Sequence, residues 1–528
     1  MTAILKKIGR FIIPSDVELR KRRLELMVWS FLLSFAFYPA YFGFLAWFSL
    51  VRPLVIISRL RGREAFNAAY FFSFCFNVFS LYWVAMVTPP GTLAAVVIVS
   101  FYYTAVFMVF LRLYRIRALF GFIALPFLWV GMEYFRTLSQ FAFPWSDLGY
   151  TQAYYLVILQ IVALVSVHGL SFIIVTVNVL LWQVFRRELS PEKRLTSFFV
   201  SLAIVLVLMA YGWVVMPKYP EPGQLDIALL QGSIPLSEKW KSHNEEYSYN
   251  LYDSLAGTVS DSKPVLYIWP ETSAPAYLTH QHYSRLRLGL IARQTGAYHL
   301  VGALAADSVN SRLRYYNSCF QFNPDGHIEK RYDKVKLVPF SEHVPYQDAL
   351  PFLNRDVIME YLTFIKKYNV QWWSDFYPGD SIVLFDLPGA QYGVLICFES
   401  TFPEYTRKMI QQGAEFIVGI TNDTWFGNSV GIYMHARIFI TRAVENRCWM
   451  ARTANSGLSF IVDDYGRLRE NLSYNEVAAV TGKIKLLHGK SFFTRHGDII
   501  GLTSLLMLVS LCIIFTVIWL IQKTLLKK

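Results

Sequence analysis

Residues 392–447 decide the reading. Tyr392-Gly393-Val394-Leu395-Ile396-Cys397 is a strand-like run that ends in a thiol, and Thr401–Gly413 follows as a helix. Phe416-Ile417-Val418-Gly419-Ile420 is a second apolar run, and Ile432–Arg447 is a long helix. Runs such as Phe416–Ile420, and Val265–Ile268 upstream, suggest sheets covered by helices on one or both faces. Strand and helix in that order predict an α/β fold. The alternation extends outward. Upstream lie Gln224–Gly232 (strand), Ser237–Leu255 (helix), Pro264–Pro270 (strand), His282–Gly296 (helix), and the strands His299–Ala305 and Tyr315–Asn323. Ser381–Leu387 precedes the thiol-bearing run, while Gly457–Val462 and Val477–Ile484 close the series. Residues 217–497 therefore read as one globular unit of about 280 residues, enough for a sizeable core.

Outside that block the composition changes. Over the 528 residues, 54% are hydrophobic and 16% charged, against about 25% charged in soluble domains. The apolar residues crowd into 24–216 and 498–522. Eight spans are predicted there, near 24–40, 42–58, 68–88, 92–112, 119–136, 158–183, 197–216 and 498–522. Pro39, Pro53 and Arg52 interrupt the first two, which also fit a re-entrant hairpin. The expected division is a membrane part at 1–216, a soluble part at 217–497, and a last span with its tail at 498–528.

The net charge of +13 does not point to nucleic acid, because of where the charge sits. Lys6, Lys7, Arg10 and Arg20–Arg23 lead the chain, and Lys523, Lys527 and Lys528 end it. Arg59, Arg61 and Arg63, then Arg112, Arg115 and Arg117, then Arg186, Arg187, Lys193 and Arg194 fill alternate loops. Loops 87–91 and 137–157 are nearly free of Lys and Arg. Positive charge marks the cytoplasmic side. Both termini are then expected inside and 217–497 outside. Residues 1–23 are too polar for a cleavable leader, so the first span would direct insertion. Glu133 and Arg136, three residues apart at an outer helix end, read as a mutual pair or as a functional intramembrane charge. The segment from Phe143-Pro144-Trp145 to Gly149-Tyr150 reads as a rigid aromatic outer loop or as an interfacial belt.

Five cysteines, Cys75, Cys319, Cys397, Cys448 and Cys512, are too few and too scattered for a disulfide framework. Cys75 and Cys512 fall in apolar spans and read as packing residues. Three strand ends each deliver one reactive group: Glu271 after Ile268-Trp269-Pro270, Lys334 after Tyr332-Asp333, and Cys397 after Leu395-Ile396. A thiol is a weak nucleophile until a base takes its proton or a cation favours the thiolate. Glu271 is the candidate base and Lys334 the candidate partner of a developing oxyanion. Together they suffice for acyl transfer through a thioester, with no metal and no cofactor. His282, His299 and His343 lack metal-ligand spacing. Residues 346–380 form a long insertion containing Trp372 and Trp373, a lid or binding loop for lipid, or a set of core aromatics.

Trp269-Pro270-Glu271, Tyr332-Asp333-Lys334-Val335-Lys336-Leu337 and Ile396-Cys397-Phe398-Glu399 resemble the nitrilase superfamily. With spans around the domain, the chain resembles the apolipoprotein N-acyltransferase family over nearly its whole length. Further matching words are Leu230–Pro235, Lys239-Trp240, Leu337–Phe340 and Asn422–Gly427. The resemblance implies an αββα sandwich with a Glu271, Lys334, Cys397 triad. It implies a phospholipid acyl donor, usually phosphatidylethanolamine, and a diacylglyceryl-lipoprotein acceptor at the bacterial inner membrane. It also implies support from Glu342, and places Trp240, Phe398 and Glu399 near substrate or nucleophile. Phe398 stands where Tyr is common, Lys336 where His is common, and Ser341-Glu342-His343 where Gly-Glu-Phe is common. None of these changes touches the triad. The rival reading is a membrane-anchored amidase that passes the acyl group to water. Monomer is the expected state.

Overall fold

The computed structural model describes residues 16–525 except 40, 220, 242–243, 310, 348 and 351–374. Trp372 and Trp373, and with them most of the expected lid, lie outside the described residues.

The first part is helical: α1 (Val17–Phe35), α2 (Val51–Arg59), α3 (Gly62–Leu81), α4 (Pro89–Ile116), α5 (Ala118–Phe135), α6 (Val162–Val184) and α7 (Pro191–Val215). Among the described residues, six helices are long and apolar enough to cross a membrane: α3 to α7 and a helix near the C-terminus, Ile499–Leu525. Eight spans were expected, and the difference lies at the start. Helix α1 opens on Glu18, Arg20–Arg23 and Glu25, which lowers its hydropathy. The expected span 42–58 is not one continuous helix. It is a tight turn, Gly43–Trp47, followed by the nine-residue α2. Ala46, Leu50, Leu54 and Ile57 are buried among the other helices. The Leu50 N–H donates to Asn178 Oδ1 of α6 at 2.9 Å. Its apolar character serves burial in protein, which composition alone does not separate from burial in lipid.

Between α7 and the C-terminal helix lie two facing sheets. The first has β1 (Leu225–Gln231), β2 (Leu266–Ile268), β3 (Ala274–Tyr277), β4 (Tyr298–Val309), β5 (Arg312–Phe322), β6 (Ile328–Asp333) and, far along the chain, β13 (Ala478–Ile484). Its order is β13-β1-β2-β4-β5-β6, with β3 beside β4. The second has β7 (Leu384–Leu387), β8 (Ala390–Ile396), β9 (Phe416–Thr421), β10 (Met450–Ala454), β11 (Ser459–Val462) and β12 (Leu468–Leu472), in the order β12-β11-β10-β9-β8-β7. Side chains alternate across each strand. Ile227 and Leu229 of β1 share one buried core between the sheets with Val394 and Ile396 of β8. Ala228 and Leu230 turn outward onto Tyr249 and Tyr252 of α8 (Asn244–Thr258) and Leu288 of α9 (His282–Thr295). On the far side α10 (Pro403–Gln412) and α11 (Val430–Asn446) cover the second sheet, with Phe439 against Gly419. This is the αββα sandwich. The helix expected over Ser237–Leu255 is broken: a short turn, Leu236–Lys239, precedes α8.

The two parts are joined by buried charge. Glu133 and Arg136 do not bond each other as expected. Glu133 accepts from Trp129 Nε1 at 2.9 Å and Leu148 N at 3.0 Å, while Arg136 pairs with Asp147 and donates to the Trp145 carbonyl at 2.9 Å. His168 of α6 lies between Asp147 and Asp498, 2.5 Å from the latter. Asp498 also accepts from Gly501 N and so caps α12 (Ile499–Leu525). A kink at Ser166 (φ 66°) frees the Val167 N–H, which donates to Glu445 of α11 at 2.8 Å. Trp145 is buried against Trp83 and Phe426, not in an interfacial belt. Much of α7 and α12 faces outward, Val214 at 85% exposure, as helices surrounded by lipid would. Cys512 lies on that exposed face and fills no protein gap, whereas Cys75 is buried as expected.

Helix α12 approaches α5 so closely that a Cβ on Gly131 would stand 2.5 Å from the Ser504 carbonyl oxygen. Small residues permit such contacts between membrane helices. Gly131→Val is therefore expected to lower stability by about 1–3 kcal/mol, an overpacking cost. Thermal unfolding in detergent checks this; an unchanged midpoint would contradict the packing.

Candidate active site

Three strand ends converge at the cavity between the sandwich and the helices. Glu271 follows β2, Lys334 follows β6, and Cys397 follows β8. Cys397 opens a short helical turn, Cys397–Thr401, and its own φ is +52°. A non-glycine residue in that region is strained, and such strain persists only where neighbours enforce it.

Lys334 is 1% exposed, and its Nζ lies 2.8 Å from Glu342 Oε1 and 3.4 Å from Glu271 Oε1. Burial works against its charge, but the Glu342 and Glu271 carboxylates outweigh it and hold the amine firmly protonated. Asn317 of β5 sits between the carboxylates and donates from Nδ2 to Glu271 Oε1 at 2.7 Å and to Glu342 Oε1 at 3.1 Å. The Val338 N–H holds the other Glu342 oxygen at 2.8 Å. Burial, then the nearby Glu271 carboxylate, push the Cys397 thiol well up, only partly offset by Lys334. A thiol held that high needs a base before it can act as a nucleophile.

Glu399 is fully buried and joins two of the three strand ends. It accepts from Ile396 N at 2.8 Å on the Cys397 side, and from Tyr332 Oη, Val335 N and Lys336 N on the Lys334 side. Burial raises its carboxyl to about 7 despite these donors. Phe398 and Trp240 both line the cavity, Phe398 buried and Trp240 half-exposed at its edge. Lys336 points elsewhere, donating to the Ser139 carbonyl at 2.5 Å.

Sequence reasoning missed Asn317 and His435, and met Lys239 only inside a matching word, with no role given to it. Asn317 is found only from register: Ser318 pairs Asp333, which sets Asn317 beside Lys334. Lys239 lies buried behind Glu271, donating to its carbonyl at 3.1 Å and to Thr272 Oγ1 at 2.6 Å. Burial pulls that amine down to about 7. Among the described residues no three His, Cys, Asp or Glu side chains converge as metal ligands.

The cavity measures about 1150 Å³. One wall carries Cys397, Lys334, Glu271 and Glu342; the opposite wall is α4 and the end of α5, with Ala95, Ile98, Tyr102 and Phe135. A single space therefore joins a thiol, a buried ammonium and two carboxylates to the apolar side of a membrane-length helix. Such a set can form and break an acyl–sulfur bond on a lipid.

Fold and site together define a carbon–nitrogen hydrolase domain seated on membrane helices. Residues 226–487 match the carbon-nitrogen hydrolase family, and residues 30–180 match the apolipoprotein N-acyltransferase N-terminal domain. An apolipoprotein N-acyltransferase of Geobacter metallireducens is 33% identical over 92% of this chain and 93% of its own. One of Chlorobaculum tepidum is 28% identical over 89% and 91%. A solved nitrilase-superfamily amidase from Nesterenkonia AN1 aligns with 51% of this chain and 93% of its own, at 18% identity and a TM-score of 0.37. The chain belongs to the apolipoprotein N-acyltransferase family.

The raised thiol sets an expected pH profile. Alkylation of Cys397 by iodoacetamide should be slow at neutral pH and climb beyond the ordinary cysteine range, about 8.5. A reaction already at its plateau near neutrality, followed by mass spectrometry of the labelled peptide, would contradict the burial and charge that raise the thiol.

Proposed function

We propose that the protein carries a fatty acyl chain from a phospholipid to the N-terminal amine of a lipoprotein through a thioester on Cys397. It is an acyltransferase of lipoprotein N-acylation. Phosphatidylethanolamine is the proposed donor and a diacylglyceryl-cysteine the proposed acceptor. In the first half-reaction Glu271 takes the Sγ proton as sulfur attacks the sn-1 ester carbonyl. The oxyanion that forms is stabilised by the Lys334 ammonium. The carbon–oxygen bond breaks, Glu271 returns the proton to the glycerol oxygen, and lysophospholipid leaves. In the second half the acceptor's neutral α-amine attacks the thioester and gives a proton to Glu271. The carbon–sulfur bond breaks, sulfur regains that proton, and an amide remains. Glu342 keeps Lys334 charged and placed, Glu399 ties the nucleophile's turn to the lysine's loop, and Phe398 and Trp240 contact substrate at the cavity wall.

One observation carries this reading: the cavity that holds the reactive groups also runs along α4. Both substrates are lipids, and that wall admits their chains without drawing them through water. A water-poor site also favours transfer to an amine over hydrolysis, which sets the acyltransferase reading above an amidase. The division at 216 and 497 is part of the proposal, supported by the last helix of the first group ending at Val215 and α12 starting at Ile499. The basic loops support cytoplasmic termini and a periplasmic catalytic domain in the bacterial inner membrane. A monomer suffices, since one chain supplies every group named.

The test uses phosphatidylethanolamine labelled in its sn-1 chain and a synthetic diacylglyceryl-cysteinyl peptide. N-acylated peptide and lysophospholipid are expected in equal amounts. Free fatty acid without N-acyl peptide would establish a hydrolase instead.

A further inference from the structure

The strained turn at Cys397 has a support outside the Glu271, Lys334 and Cys397 set. The Cys397 carbonyl accepts from Ser400 Oγ at 2.8 Å and faces His435 Nε2 at 3.1 Å, while Nε2 also lies 3.0 Å from Ser400 Oγ. With the one Ser400 hydroxyl hydrogen given to the carbonyl, both neighbours of Nε2 accept, so Nε2 carries the hydrogen. The other ring nitrogen lies 2.9 Å from Asp423 Oδ1 and 3.2 Å from Arg452 Nη2. Asp423 is fully buried and is fixed in turn by Arg452 at 2.6 Å and Thr421 Oγ1 at 2.9 Å. Burial would raise the Asp423 carboxyl, but the Arg452 and His435 charges hold it well below the usual range.

Aromatic rings fix the imidazole from the other side. Trp145 and Phe426 each meet it edge-on with centroids at 5.8 Å. Trp145 belongs to the loop after α5, and its carbonyl is held by Arg136. His435 is 1% exposed yet borders the same cavity as Cys397. A buried histidine whose two nitrogens and two ring edges all have assigned neighbours has one orientation available. That orientation points its N–H at the backbone of Cys397.

We propose that His435 is a positioning residue: by donating from Nε2 to the Cys397 carbonyl it holds the turn that aims Sγ at the substrate carbonyl carbon. It touches neither substrate nor the reacting sulfur. It acts through the main chain, with Asp423 and Trp145 setting the ring. The proposal rests on Cys397 being the nucleophile. Its mark is a loss in the rate of acylation once lipid is bound, with lipid binding itself unaffected, and recovery by any side chain that restores a donor at the Nε2 position.

The experiment measures single-turnover acylation of the full-length protein in phosphatidylethanolamine vesicles, across lipid concentrations. His435→Ala is expected to lower the saturating acylation rate at least tenfold and leave the half-saturating lipid concentration within twofold. His435→Gln, whose amide N–H reaches the Nε2 position, is expected to come within threefold of wild type. Equal losses in the two variants, or a loss confined to the half-saturating concentration, overturn the proposal. If His435→Ala does not fold, His435→Gln decides: a rate within threefold supports the proposal and a tenfold loss overturns it. Cys397→Ala in the same assay separates the two claims. Acylation that survives there removes the nucleophile assignment, whereas its loss beside an unimpaired His435→Ala removes only the role of His435.

Discussion

Burying the Lys334 ammonium beside a thiol demands compensation, and the rest of the site follows from how it is supplied. An unpaired buried cation is costly, and two carboxylates within hydrogen-bond reach offset that cost. Glu271 and Glu342 do so from separate segments, and Asn317 bridges their oxygens so that neither repels the other unscreened. These partners come from β2, β5, β6 and the turn after it. The cluster forms only when the first sheet is assembled in register. Fold and reactivity are thereby the same constraint.

The second sheet contributes Cys397, and Glu399 makes the connection. Its two oxygens accept from both Ile396 and the Val335–Lys336 backbone, so β8 and the lysine's loop are fixed to each other by one side chain. The helical part then closes the site from below. Its buried Arg136, Asp147, His168 and Asp498 hold the Trp145 loop and the start of α12 together. A soluble domain cut away from these helices would lose one wall of its cavity, the apolar wall of α4 and the end of α5. The architecture explains why acyl transfer between two lipids is built on helices that cross a membrane.

Much of this was legible in the chain. The apolar runs at Val265–Ile268 and Phe416–Ile420 hold the buried strands β2 and β9. Glu271, Lys334 and Cys397 each end an apolar segment, and strand ends are where an α/β fold presents chemistry. What was not legible depends on pairing. Asn317 sits in an ordinary polar stretch of β5, and only the β5–β6 register brings it to Lys334. His435 lies 38 residues from Cys397 on a helix whose rotation sets its partner. The stretch 42–58 has the composition of a span but is buried by protein. Glu133 and Arg136 have the spacing of a pair, yet the loop at 145–148 offers each a better partner.

The central claim is that Cys397 takes the acyl chain from a phospholipid before any acceptor is present. Intact mass of the purified protein after incubation with phosphatidylethanolamine alone tests it most directly. The account predicts a gain of one fatty-acyl mass that hydroxylamine removes and that Cys397→Ala does not acquire. An adduct of the same mass on Cys397→Ala, or neither adduct nor released lysophospholipid with the wild-type protein, would contradict it.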